Sequence, residues 1–331
     1  MEWGETMAVI RTVLGDIPAE EFGVTDSHDH LIRSGGPEVM RDPAFLMDDL
    51  DAATAELERY VKAGGRSMIC MDPIGCGRNV PKMLALAEAF RGRAHLVMTT
   101  GFQKGPNYCP RTSFLAELEV KTVVSLMVDE IAVGMDKHSY NGPVVERTAA
   151  RAGLIKAGTS YRLITPLEEK ALTVAALTQR ETGCPISIHT ENGTMGPEIL
   201  EIIRANGGKP EHTVLCHLQR NPDRYYYQML ADTGAFLCFE EANKAAYRPD
   251  TEIGESLLWL VEHGYGKQLL LGMDGGRVEA TAGYMAGQGR ANGLDYLLTR
   301  FTPMLRKLGL SDAAVEDMLV NDPARAFSIW P

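Results

Sequence analysis

Short apolar runs recur along the chain, each followed by a polar loop and then by an amphipathic stretch. The runs are "FGVTDSHDH" (22–30), "RSMICMD" (66–72), "AHLVMTTG" (94–101), "GLIKAGTS" (153–160), "CPISIHT" (184–190), "TVLCHL" (213–218), "AFLCFEE" (235–241) and "QLLLGMD" (268–274). Continuous apolar runs of this length suit strands buried on both faces of a parallel sheet. Helix signals lie between them. In "ITPLEEKALTVAALTQRETG", Thr165 suits an N-cap, Pro166 the first turn, Glu168 a capping box and Gly183 the end. "NPDRYYYQMLADTG" repeats the scheme, with Asn221 as cap, Pro222 at the first helical position and Gly234 as terminator. Eight strand–helix units with no Pro- or Ser-rich linker predict an α/β fold, a (β/α)8 TIM barrel, in one domain over residues 1–331. The preceding "AVIRTVLGDIPAEEFG" predicts a short N-terminal β-hairpin or a cap on the barrel bottom.

Composition narrows the class. At 331 residues, 45% hydrophobic and 23% charged, the chain is ordinary for a soluble globular protein with a large core. Its formal net charge of -11 argues against general binding to nucleic acid or an anionic membrane. An anionic substrate would therefore need locally concentrated positive charge. The six cysteines form no CxxC pair, which predicts reduced, mostly buried thiols. The start "MEWGETMAVI" lacks a basic segment followed by an apolar one, and no apolar run approaches the roughly 18 residues of a membrane span. A cytoplasmic location is the expectation.

The polar residues on these runs carry the chemistry. His28 and His30 end the first strand, Lys156 lies in the fourth, His189 ends the fifth, His217 closes the sixth and Asp274 the eighth. Barrel enzymes build their sites at the carboxyl ends of the strands, so these side chains should converge on one mouth. Residues two apart share a strand face, which turns His28 and His30 inward together and Asp29 away. A lone histidine at a strand end is more often structural than a ligand, and an isolated HxH is weak evidence. A lysine inside "GLIKAG" is harder to dismiss, because a buried unpaired ammonium is costly. The combination is strong where each part is weak.

These residues give the chain its resemblance. With "HDH", "GLIKAG", "ISIHT", "CHL" and "GMD" in order, plus "TVLGDIP" and "NDPARAF" near the termini, it resembles the phosphotriesterase-related branch of the amidohydrolase superfamily over essentially its whole length. The resemblance implies a binuclear metal centre. His28, His30 and Asp274 would bind the more buried ion, and His189 and His217 the more exposed one. Lys156, carboxylated by carbon dioxide to a carbamate, would bridge both. Imidazole and carboxylate ligands suit zinc first, with manganese or cobalt also fitting. A hydroxide bridging the ions would attack the substrate, and Asp274 would be the catalytic residue that moves its proton to the leaving group.

The loops bear on the substrate. Lys244 follows the seventh run and Arg277 the eighth, where barrels most often bind phosphate. From spacing alone, a phosphate clamp and two solvated loop charges are equally good readings. "HLQRNPD", the lysine and "DGGR…GLDYLL" resemble a subgroup that opens phosphorylated sugar lactones, whose phosphate is held by a lysine, an arginine and a tyrosine. Lys244 and Arg277 match the first two. Ala280 stands near the expected tyrosine position, and Tyr284 is the candidate replacement. Gln103 stands where acyl-homoserine lactonases of the family carry a tyrosine, which ranks that activity lower.

The leading expectation is thus a metal-dependent hydrolase of a small-molecule lactone, most plausibly a phosphorylated sugar lactone. One alternative is a hydrolase of unphosphorylated lactones or esters with side activity on phosphotriesters. The other is a ligand-binding barrel without turnover. A homodimer is the family-like expectation. His95, His138, His212 and His263 fall outside the strand-end set and read as structural or exposed, and the tyrosines of "RYYYQML" read as packing.

Overall fold

Each apolar run forms a strand. In this computed structural model, which describes residues 8–109, 111, 113–286 and 292–330, β1 (Val9–Thr12) and β2 (Gly15–Pro18) make the N-terminal antiparallel hairpin. The barrel strands are β3 (Thr25–Asp29), β4 (Ser67–Cys70), β5 (His95–Gly101), β6 (Leu154–Thr159), β7 (Ile186–Thr190), β8 (Thr213–Cys216), β9 (Phe236–Phe239) and β10 (Leu269–Leu271). They pair in parallel, in sequence order from β3 to β10. The two edges meet at a seam. The Asp274 N–H donates to the His28 carbonyl at 2.8 Å, and the Met273 N–H to Asp26 Oδ1 at 3.3 Å. A Cβ on Gly272 would lie 2.9 Å from the His28 nitrogen, so glycine permits this approach.

Helices return the chain between strands, among them Leu50–Lys62, Val80–Ala89, Val120–Ala132, Pro166–Thr182, Gly196–Ala205, Arg224–Ala231 and Asp250–Glu262. The capping box forms as the sequence predicts. Thr165 Oγ1 accepts the Glu168 N–H at 3.3 Å, Glu168 Oε2 accepts the Thr165 N–H at 2.8 Å, and Gly183 ends the helix at φ 67°. The second cap differs. Asp223, not Asn221, caps Arg224–Ala231, accepting the Tyr225 and Tyr226 N–H groups at 3.0 and 3.2 Å. Pro222 has no N–H to bond and precedes the helix, which moves the start two residues on.

The core has two parts. Side chains between strands and helices form the larger, while Ile69, Val97, Leu154, Val214 and Leu270 fill the barrel interior with Ile10, Phe22 and Phe327. The hairpin and the chain's last residues therefore plug the amino-terminal end, and the Ile329 N–H donates to the Val9 carbonyl at 2.8 Å. Arg11 clasps the hairpin to the barrel. It donates two 2.8 Å bonds to Asp16 and one of 2.7 Å to the Ile131 carbonyl, while Arg151 reaches Asp16 at 3.0 Å. Five of the six cysteines are buried, Cys109 is exposed, and no disulfide occurs among the described residues. No described helix is long and apolar enough to cross a membrane.

Candidate metal centre

The bottom being plugged, the open end is where the carboxyl termini of the strands bring the polar residues together. The β3–β4 register shifts between Asp26 and Asp29, and such an irregularity re-aims side chains. His28 and His30 ring centroids lie 5.9 Å apart, His28 and His217 5.0 Å, and His189 and His217 4.3 Å. Nε2 of His28 is 3.7 Å and Nε2 of His30 3.4 Å from Asp274 Oδ1. Ligand atoms of His28, His217 and Asp274 all fall within 4.8 Å of one another. His217 and Asp274 sit at φ 64° and 47°, left-handed backbone that non-glycine residues adopt rarely and that clusters at functional sites.

Three of these rings have a carboxylate on one nitrogen, and for His28 and His30 it is the nitrogen opposite the one facing Asp274. His30 Nδ1 is 2.9 Å from Asp72, which Arg33 Nε holds at 2.6 Å. His189 Nε2 is 2.9 Å from Glu191, and His28 Nδ1 is 2.9 Å from Glu240. Such partners orient metal-binding imidazoles and set their tautomer. Sequence alone assigns none of these three acids a role. The recoverable signal was that Asp72, Glu191 and Glu240 also stand at strand ends, where a polar side chain points at the mouth. Asp29 turns away as expected but has work there, since its Oδ1 accepts the His30 and Gly275 N–H groups at 2.7 and 2.9 Å.

Electrostatics agree with a ligand set. Burial, with the positive charge of Lys156 nearby, lowers the His28 pKa. Burial pushes His189 down to about 4 and His217 well below its ordinary value, so both rings are neutral at pH 7 and keep a lone pair. Burial alone would raise Asp274, but Lys244 and the surrounding histidines outweigh it and hold the carboxyl well below the usual range. His30 is the exception: burial opposes its charge, yet Asp72 and Asp274 prevail and raise it.

Lys156 is 1% exposed, and its Nζ contacts the Met71 sulfur at 3.6 Å. A thioether is a poor partner for an ammonium, and burial without an anion is expensive. Conversion to a carbamate would turn this lysine into an anionic ligand, and its charge acts on both His28 and His189, one from each expected ion site. The donor set of imidazoles, carboxylate and buried lysine thus fits a pair of divalent cations.

The cavity over this cluster has a volume of about 180 Å³. Five cationic side chains line it, Arg33, Lys104, Arg220, Lys244 and Arg277, against four carboxylates. In a chain of net charge -11 that is the local positive concentration an anionic substrate needs. Arg220 chelates Glu241 and lies over the Tyr247 ring at 4.1 Å. Lys104 pairs with Glu191. Arg277 reaches Asp42 at 2.7 Å and lies over Phe45 at 4.5 Å. Lys244 donates to the Asp274 carbonyl, 3.5 Å from that residue's Oδ2.

Tyr284 is a correction. Its hydroxyl lies 2.8 Å from the Leu31 carbonyl and 3.1 Å from that of Asp49, and it does not line the cavity. Tyr247, on the loop after β9, is the tyrosine that does. Among the other histidines, His212 stacks on Trp330, His263 on Trp259, and His138 faces Glu146 at 3.3 Å, all outside the cavity.

A parallel barrel whose two edge strands meet, with histidines and an aspartate at its strand ends and a buried lysine within one strand, is the architecture of an amidohydrolase-type hydrolase. The Phosphotriesterase family model matches residues 8–327, and the chain belongs to that family. It is 46% identical over 316 residues to a phospho-furanose lactonase of Mycoplasmopsis agalactiae, covering 95% of this chain and 90% of the relative. Its fold is similar to the crystal structure of an amidohydrolase from Mycoplasma synoviae, with a TM-score of 0.96 and 42% identity over 98% of this chain and 93% of that one. A lactonase from Listeria monocytogenes superposes with a TM-score of 0.88 at 28% identity, over 98% of this chain and 100% of the other.

Proposed function

We propose that this hydrolase opens a phosphorylated sugar lactone, using two divalent cations held by His28, His30, Asp274, His189, His217 and a carbamate on Lys156. The observation that carries the metal reading is the convergence of His28 and His30 Nε2 on Asp274 Oδ1, with Asp72 and Glu240 at the rings' opposite nitrogens. When bound, the cations supply Lewis acidity and a nucleophile drawn from water near neutral pH. The side chains then divide the remaining work. Asp274, kept ionised by Lys244 and the histidines, accepts the proton of the attacking water and returns it to the ring oxygen that leaves as an alkoxide. The cationic wall holds an anionic group away from the reacting ester, with Arg277 at the mouth the most accessible of its guanidinium groups. Support for the substrate class comes from that wall and from the name of the Mycoplasmopsis agalactiae relative.

A second reading, an unphosphorylated lactone, is favoured by two observations. Tyr284 is engaged elsewhere, and Lys244, although it lines the cavity, is already bonded to the Asp274 carbonyl. A pH-indicator screen of lactones with and without a 5-phosphate separates the two. Arg277→Met should raise KM for the phosphorylated lactone far more than for its unphosphorylated analogue, and equal effects would remove phosphate from the proposal.

A further inference from the structure

Glu240 follows the last residue of β9 and is 1% exposed. Among the described residues no lysine or arginine forms an ion pair with it. A buried carboxylate without a cation is costly, so its two oxygens need other partners. They find them on two different histidines. Oε1 lies 2.9 Å from His28 Nδ1. Oε2 accepts the backbone N–H of His217 at 2.7 Å. The Glu240 N–H is itself anchored, donating to Gln219 Oε1 at 3.2 Å.

Each contact fixes something the centre needs. An imidazole that donates its Nδ1 proton to a carboxylate keeps the lone pair on Nε2, and the Nε2 of His28 is the atom that faces Asp274. His217 has a left-handed backbone at φ 64°, a conformation unfavourable for a residue with a Cβ and one that must be held by its surroundings. Its N–H bond to Glu240 is one such restraint. His28 and His217 belong to the two different ion sites of the proposed centre, so one buried acid spans both.

We propose that Glu240 is a positioning residue for metal binding, setting the ring tautomer of His28 and the backbone of His217 with the same carboxylate. This rests on the metal reading above. Glu240→Gln tests it with little change in shape. The amide oxygen can still accept the His217 N–H, but the amide NH2 then faces His28 Nδ1 and can pair only with a lone pair there. That moves the ring proton to Nε2, where it blocks coordination. Zinc affinity, measured by chelator competition, should fall by about 10- to 100-fold. An affinity within about twofold of wild type overturns the proposal. A wild-type protein that binds no zinc would instead overturn the metal reading, so the two failures are distinct. Should the variant not fold, nitrogen NMR of histidine-labelled, zinc-loaded wild type decides. His28 protonated at Nδ1 supports the inference, and His28 bare at Nδ1 overturns it.

Discussion

Lys244 Nζ lies 3.5 Å from Asp274 Oδ2 and donates a hydrogen bond to the backbone carbonyl of the same residue. The lysine thus steadies both the charge and the left-handed backbone of the residue proposed to move the proton. Lys244→Met should lower kcat by about 10- to 100-fold with a much smaller change in KM. Steady-state kinetics on the best lactone of the screen checks this. A rise in KM confined to phosphorylated substrates would make Lys244 an anion contact instead.

Among the described residues no carboxylate forms an ion pair with Lys156, and carboxylation would make the side chain an anion itself. Metal analysis of carefully handled protein should find about two divalent ions per chain. Lys156→Ala should lose most of the bound metal and the activity together, and short-chain carboxylates such as propionate should restore part of both. A variant that kept its metal and its rate would remove the carbamate.

The hairpin clasp predicts a pH-dependent contribution to stability. Hydrogen bonding to Arg11 lowers the pKa of Asp16 below the ordinary carboxylate value. A depressed folded-state pKa contributes stability that is present above the unfolded value, about 3.8, and is lost as pH falls through the lower folded value. Because the pair is partly open to solvent, Asp16→Asn should cost at most about 1 kcal/mol at pH 7. Thermal melts of variant and wild type should converge at a pH where wild-type Asp16 is protonated. A constant difference at every pH would show that the ion pair contributes nothing.

How much of this was legible in the chain varies with the range of the interaction. All eight barrel strands and the Thr165 capping box follow from local pattern, because burial on both faces and a cap three residues from its partner are written in neighbouring residues. The Asn221 cap failed at the same range, since Asn and Asp compete for one role and Pro222 between them shifts the helix start. The proposed ligand set could be assembled from sequence because its histidines and Asp274 stand at strand ends, Lys156 lies within a strand, and the fold carries strand ends to one place. The outer carboxylates Asp72, Glu191 and Glu240 could not be. Only the geometry shows which ring nitrogen each one meets. Tyr284 failed for a related reason: a long loop offers many directions, and this one turns the hydroxyl to the Leu31 and Asp49 carbonyls.

The seam between the first and last barrel strands carries a consequence for assembly. Asp29 bonds the Gly275 N–H across a sequence separation of 246 residues, and His28 meets Asp274 at the same place. Contacts of such high order form late in folding, after the intervening chain has been laid down. The strand that carries two of the histidines is synthesised well before Asp274, the acid of the proposed centre. A chain stalled before Asp274 can offer imidazoles to a passing ion but lacks the carboxylate proposed to move the proton. Competence for the reaction is therefore acquired at ring closure, and whatever grips His30 and Asp274 together also locks the ring shut.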